Sequence, residues 1–392
     1  MIDKPLLAAV MILLTVSLVM SYSLSAYEVE RLNYADFHFL LRQGIAVFIG
    51  LVMMIGLSRL EPDVWFSRVG LGLFISFFIV MIVMQFLPTS LVHAVGGAKR
   101  WIRLGPMSVA PVEYFKIGFV FFLAWSFSRK LLDKQSMQLW EEVRAFFPYL
   151  VLFSVAVVLI AVFQKDLGQV VVLGVTLLIL FLFIGSSWKF FGSLMMVGFV
   201  GFGALIFFAP HRMARIKSWW GTVQDSILPM LPFEVERLRI AAVKEPYQIS
   251  NSLNAIHNGG FVGEGLGNGQ FKLGYLSEVH TDFILAGITE EFGFMGILFV
   301  TLMILFIVFR IFKIASRVKK PIYYLFSIGV GLLIALAFIL NSYGISGITP
   351  IKGIAVPFLS YGGSHIIASC IAIGMVLMVS KKVPRDSEGR IV

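Results

Sequence analysis

Asp282 is the residue in this chain best placed to do chemistry. It stands in the run His280-Thr281-Asp282-Phe283-Ile284, where a polar triplet meets a long apolar stretch. A carboxylate there can take a proton late from an attacking hydroxyl, or it can serve only as a helix cap and dipole partner. The forces on its pKa oppose each other, since a helix N-terminus and nearby cations lower it while partial burial raises it. A second pair, Glu113 and Lys116, is spaced to share one helix face near the start of another apolar stretch. At bilayer depth such a pair is costly unless it faces a bundle interior or water. It therefore reads either as a self-neutralising structural pair or as a cavity wall. Just upstream, Lys99, Arg100 and Arg103 surround Trp101, a grouping suited to an anionic ligand.

The elements that must position these groups follow from composition. Of 392 residues, 58% are hydrophobic and 14% charged, against about 45–50% and about 25% in soluble domains. A cytosolic enzyme, a secreted disulfide scaffold and a disordered chain are all excluded. Cys370 is the only cysteine, so neither an internal disulfide nor a cysteine metal cluster can form. Apolar runs of about 20 residues predict ten transmembrane helices at about 5–27, 37–57, 69–87, 109–129, 146–163, 168–186, 189–209, 283–312, 322–343 and 364–380. The expected fold is an all-α polytopic membrane protein, a single unit over 1–392 with both termini cytoplasmic and one large outer loop at 210–281. The end of the first run, near Ser25-Ala26, also resembles a signal-peptide cleavage site. Its length favours an uncleaved helix.

The net charge of +10 resolves into topology and exceptions. With the N-terminus inside, 17 basic residues are cytoplasmic and four lie on short outer segments, the usual positive-inside bias. Two outer segments break it. One is 96–106, with Lys99, Arg100 and Arg103; the other is 210–281, with Arg212, Arg215, Lys217, Arg237, Arg239, Lys244 and Lys272. Together they point to an anion on the outer face. Within the loop, Trp219 to Glu236 reads as short interfacial helices. The glycine-dense run Asn258 to Gly269 is either a surface turn or a backbone cradle for phosphate. Ala286, Thr289, Gly293 and Gly296 fall on the Asp282 face of the eighth span, while Glu290 and Glu291 read as structural. His211, His257, His280 and His365 match no zinc spacing, no serine-hydrolase elbow occurs, and neither nucleotide nor nucleic-acid binding is implied.

Several blocks then fall in a familiar order: Lys99-Arg100-Trp101-Ile102-Arg103-Leu104-Gly105, Pro111-x-Glu113-x-x-Lys116, Asp166-Leu167-Gly168, Gly259-Gly260 through Lys272 to Glu278-x-His280-Thr281-Asp282-Phe283-Ile284, Glu290-Glu291-x-Gly293, and Pro357-Phe358-x-Ser360-Tyr361-Gly362-Gly363-Ser364. In this order, across nearly the whole chain, they resemble the SEDS family of RodA, FtsW and SpoVE proteins. The Lys272, Tyr275, Leu276 approach and the Lys-Arg-Trp-Ile spelling look more like FtsW than RodA. The pattern departs from the family at Ala110, Val112, Lys165, Gln169, Ser277 and His365.

The resemblance implies a ten-helix peptidoglycan glycosyltransferase that polymerises lipid II at the outer face of the bacterial cytoplasmic (inner) membrane in cell division or elongation. Asp282 would be catalytic. The substrate-binding candidates are Lys99, Arg100, Trp101, Glu113, Lys116, Arg212, Arg215, Lys272, His280 and Ser360. Expected partners are lipid II, the nascent glycan strand, a class B penicillin-binding protein transpeptidase and other divisome or elongasome membrane proteins. No resident cofactor or protein metal site is implied; a divalent cation, Mg or Mn, on the lipid diphosphate stays open. A lipid II transporter and a noncatalytic scaffold are the competing readings.

Overall fold

The computed structural model describes residues 2–92, 94–95, 97–105, 107–130, 139–230, 239–240, 247–350 and 353–384. Arg237 and Lys244 of the outer loop lie outside these residues. The helices are α1 (Lys4–Leu24), α2 (Ala26–Arg31), α3 (His38–Arg59), α4 (Pro62–Val83), α5 (Pro111–Lys130), α6 (Leu139–Val157), α7 (Leu167–Phe183), α8 (Trp188–Phe207), α9 (Pro210–Ile227), α10 (Tyr247–Gly259), α11 (Ile284–Ala315), α12 (Pro321–Ile345) and α13 (Gly363–Ser380). A π-helical turn, Val158–Phe163, extends α6.

Among the described residues eight helices are long and apolar enough to cross a membrane, and α7 is a shorter apolar helix. The remaining predicted span is α5, whose charged Glu113, Lys116, Arg129 and Lys130 reduce its apolar character. The ten expected helices are thus all present, which makes this a multi-pass membrane protein. The third begins at Pro62 rather than 69 and the fifth at Leu139 rather than 146. Both helices continue through a charged entry segment that an apolar-run reading trims away. The all-α expectation misses two short antiparallel hairpins between α4 and α5, Ala94–Val95 with Ala98–Lys99 and Ile102–Leu104 with Met107–Val109.

Pairing is tightest between α3 and α13, α4 and α5, and α11 and α12, with α12 also on α5 and α1 on α11. The α4–α5 approach depends on Gly118, where a Cβ would come within 2.4 Å of the Phe74 backbone nitrogen. Around it Phe66, Phe115, Phe119, Phe121 and Phe326 are fully buried. Such close contact supplies the dispersion that holds helices together where lipid is as apolar as the protein.

The first and last described segments meet at the same end of the bundle, where Asp3 N donates to Ser380 Oγ at 3.1 Å. Asp3 pairs with Arg310 at 2.5 Å, Lys320 with Asp63 at 2.5 Å, and Lys382 with Glu61 and Asp63 at 2.6 and 2.8 Å. These links join the segments assigned to the cytoplasm by charge. The opposite end carries the hairpins, α9, α10 and the approach to α11.

Candidate active site

Asp282 precedes α11 rather than opening it. The helix begins at Ile284 with Phe283 in the cap position and no side-chain cap bond, so Asp282 is not a cap. Three successive carbonyls of its segment are held from outside. Tyr361 N donates to His280 O at 2.9 Å, Ser360 Oγ to Thr281 O at 2.7 Å, and Asn341 Nδ2 to Asp282 O at 2.7 Å. Asn341 also donates to Ile354 O at 2.6 Å, and Ser360 Oγ accepts from Val356 N at 2.8 Å, so the 353–361 loop and the Asp282 turn are fastened together. Gln43 on α3 extends the brace by donating to Ser360 O at 3.3 Å and accepting from Gly362 N at 3.1 Å. Gly353, at φ 58°, presses on the carboxylate itself, where a Cβ would stand 2.7 Å from Asp282 Oδ2. With the backbone fully tied, the carboxylate has no hydrogen bond or ion pair from any described residue.

Asp282 lies where two cavities meet. The first, about 770 Å³, extends between α7, α8 and α9 and is lined by Lys165, Phe202, Ile206, Arg212 and Arg215. The second, about 630 Å³, is bounded by α3, α5, α7 and α13 and lined by Arg42, Glu113, Gln164, Asp166, Gln169 and His365. Arg100, Trp101, Glu278, Asp282 and Gly353 line both. Burial, reinforced by the Glu278 and Asp166 carboxylates and opposed by Arg100, pushes Asp282 up to about 6. The conflict left open by sequence thus resolves upward. Burial also raises Asp166 against the pull of Arg100, and lowers His280, which favours its neutral form.

Six candidates gather around these cavities: Asp282, Arg100, Trp101, Glu113, Arg212 and Arg215. Arg100 donates from Nε to Gln164 O at 2.7 Å and from Nη2 to Lys165 O at 3.0 Å, with its guanidinium 5.9 Å from the Trp101 ring centroid. Arg212 donates to Leu205 O at 2.8 Å and to Ala161 O at 2.5 Å. Carbonyls orient both side chains without cancelling their charge.

The other five are placed elsewhere. Lys99 donates to Gln85 O at 2.7 Å and closes a loop rather than facing an anion. Lys116 pairs with Glu113 at 2.9 Å and donates to Gln169 Oε1 at 2.8 Å, which consumes its charge inside the cavity wall. Gln169 Nε2 and His365 Nδ1 lie 3.0 Å from Glu113 Oε1 and Oε2 respectively, so two departures from the family pattern share one network. Lys272 is buried against Glu291 at 2.6 Å and Ser23 at 3.0 Å, away from Asp282. His280 packs edge-on against Phe39 and Tyr361 with centroids 5.1 and 5.4 Å away, and Ser360 is part of the backbone brace.

The glycine-dense run is a largely exposed turn region whose backbone is tied to α11. Glu264 N and Gly265 N donate to Glu290 O and Glu291 O at 3.0 and 2.9 Å, and Phe294 N donates to Gly260 O at 2.9 Å. This exchange interrupts α11 at Gly293, whose φ of 64° admits the close approach. Of Trp219 to Glu236, the part up to Ile227 belongs to a longer helix, α9, that starts at Pro210, while 231–238 lie outside the described residues.

Sequence reasoning passed over Asn341, Gln43, Gly353 and the role of Glu278. Asn341 and Gln43 carried a signal, as polar residues inside apolar runs that need a partner. Gly353 carried none.

The fold and site define a polytopic membrane protein with a carboxylate at the junction of two cavities, at the end of the bundle that carries the hairpins and α9. The family model described as "Cell cycle protein", which covers FtsW, RodA and SpoVE, matches residues 4–384. The chain is 47% identical over 381 residues to the probable peptidoglycan glycosyltransferase FtsW of Helicobacter pylori strain 26695, covering 97% of this chain and 98% of that protein. It is 31% identical to the protein of the same name from Geobacter sp. strain M18, covering 97% of each. In fold it resembles the rod shape determining protein RodA of Thermus thermophilus, with TM-score 0.66, 19% identity and 98% of each chain covered. It also resembles a chain from a structure described as the structural coordination of polymerization and crosslinking by a peptidoglycan synthase complex, with TM-score 0.71, 20% identity and coverage of 98% and 99%. The chain belongs to the FtsW, RodA and SpoVE family and is of the FtsW type.

Proposed function

We propose that this chain is a peptidoglycan glycosyltransferase that polymerises lipid II at the outer face of the bacterial cytoplasmic membrane during cell division. The observation that carries the reading is the Asp282 carboxylate, unpaired among the described residues and set beside Arg100 where both cavities open. Asp282 removes the proton from the acceptor sugar's 4-hydroxyl as that oxygen attacks the donor's anomeric carbon. The new bond joins the acceptor oxygen to that carbon, and the bond to the diphosphate oxygen breaks with its electron pair. Undecaprenyl diphosphate leaves as an anion, so it needs cations more than a proton donor. A single carboxylate can then suffice where hydrolases use two.

A class B penicillin-binding protein is the partner that crosslinks the strands, in keeping with the synthase complex whose fold this chain resembles. A Mg or Mn ion, where used, would come with the substrate diphosphate.

The test is direct. The chain, purified alone and with a class B penicillin-binding protein, is supplied with lipid II in the absence of other polymerases. Glycan strands are the expected product. Lipid II crossing liposome membranes without glycan formation would instead establish the transporter.

A further inference from the structure

The two cavities differ in chemistry although they share Asp282. In the α7–α8–α9 cavity, Arg212 and Arg215 add to Arg100, and Arg100 and Arg212 donate to carbonyl oxygens rather than carboxylates. The same cavity has Phe202 and Ile206 on α8 in its wall. That helix otherwise turns apolar side chains outward, with Phe199 80% and Phe207 70% exposed, so this wall of the cavity adjoins the apolar surface on which a lipid chain would lie.

In the α3–α5–α7–α13 cavity the carboxylates of Glu113 and Asp166 join Glu278 and Asp282, with Arg42 and Arg100 as the lining cations. Two of its lining residues hold buried polar atoms without a hydrogen-bond partner among the described residues, Gln164 Oε1 and His365 Nε2. An amide oxygen accepts only, so Gln164 Oε1 is a buried acceptor left for a ligand. Such an acceptor calls for a ligand with O–H or N–H groups and disfavours phosphate oxygens.

We propose that the arginine-lined cavity binds the donor, the lipid-linked sugar whose diphosphate departs, and that the amide- and carboxylate-lined cavity binds the acceptor's terminal sugar. The assignment rests on the glycosyltransferase reading above and adds which substrate goes where. The donor's reacting carbon is bonded directly to its diphosphate, so that diphosphate must sit within one sugar of Asp282. The acceptor's own diphosphate lies a disaccharide away from its 4-hydroxyl and makes no demand on cations near Asp282. Each cavity therefore meets one substrate's need, and Asp282 faces the join.

Two single-role substrates separate the assignments. Lipid II with its terminal 4-hydroxyl blocked can act only as donor. A disaccharide bearing an alkyl group in place of the diphosphate can act only as acceptor. Their coupling is followed with the full chain in complex with a class B penicillin-binding protein, each substrate varied in turn. The Arg212→Gln/Arg215→Gln double variant is expected to raise the donor KM at least ~10-fold, with the acceptor KM within ~2-fold of wild type. Gln164→Met, similar in volume but without the acceptor oxygen, is expected to raise the acceptor KM ~10-fold and leave the donor KM within ~2-fold. Melting in detergent establishes that both variants fold. The opposite pairing of variants with substrates, no KM change in either variant, or equal effects on both KM values, would overturn the assignment alone. Absence of coupled product from the wild-type complex would overturn the glycosyltransferase reading and the assignment with it.

Discussion

Asp282 and Glu291 stand nine positions apart around the start of α11, and the protein treats them in opposite ways. Glu291 is fully buried, with Lys272 Nζ 2.6 Å and Ser23 Oγ 2.5 Å from its Oε1. Its neighbour Glu290 accepts from Gln270 N at 2.6 Å and Phe271 N at 3.0 Å. Both are spent on fixing the outer loop to α11. Asp282 is held only through its backbone, while its side chain is left to the cavity. The contrast separates a carboxylate that stabilises the fold from one that does work: the first is paired with a buried ammonium, and the second has its position fixed by other groups while its charge is left unpaired among the described residues.

The comparison breaks most visibly at Asp282 itself. Asp282→Asn should lower glycan polymerisation by about 10²- to 10⁴-fold, the usual worth of a positioned general base. The same variant should be more stable than wild type at pH 7.5. Because the folded-state pKa is raised from 3.8 to about 6, its stabilising contribution is present below pH 3.8 and lost as pH rises through about 6. Neutral asparagine escapes that loss, a gain of at most about 3 kcal/mol. The gain should vanish near pH 3.8, and melting in detergent across pH measures it.

Glu291→Gln is expected to do the reverse, destabilising the chain by about 3–5 kcal/mol by leaving the Lys272 ammonium buried without its counter-charge. A Lys272→Met/Glu291→Leu double variant should recover most of this. A Glu291→Gln protein that melts like wild type would erase the contrast.

Smaller effects sharpen the account. Asn341→Ala unties Asp282 O from Ile354 O and should cut kcat by about 10- to 100-fold through misplacement of the carboxylate, with KM changed less. Equal changes in kcat and KM would show that Asn341 does more than position. Glu278→Gln removes a negative charge that raises the Asp282 pKa. The acid limb of the rate profile should then move to lower pH, with a change of less than about 10-fold in the plateau rate.

Much of this was legible from residue order. The ten apolar runs marked the helices because a bilayer demands long uninterrupted apolar segments, and the misplaced arginines marked the active face because they oppose the charge bias of topology. Asp282 stood out as an acid at an apolar boundary. What sequence could not convey was pairing. Lys116 and Lys272 look like Arg212 and Arg215 as letters, yet Lys116 is paired with Glu113 and Lys272 with Glu291, while the arginines line the cavity. Gly353 drew no attention because its role is the absence of a side chain beside Asp282. The glycine-dense run left two readings open because composition does not show that its N–H groups at Glu264 and Gly265 are taken by carbonyls of α11.

The pH dependence of kcat/KM for lipid II polymerisation tests the central claim most directly, because it reports the free enzyme's essential base. The account predicts a single rising limb with an apparent pKa of about 6, the value that burial and the surrounding carboxylates give Asp282. A rate that stays level from about pH 4.5 to about pH 8, despite full folding throughout, would contradict it.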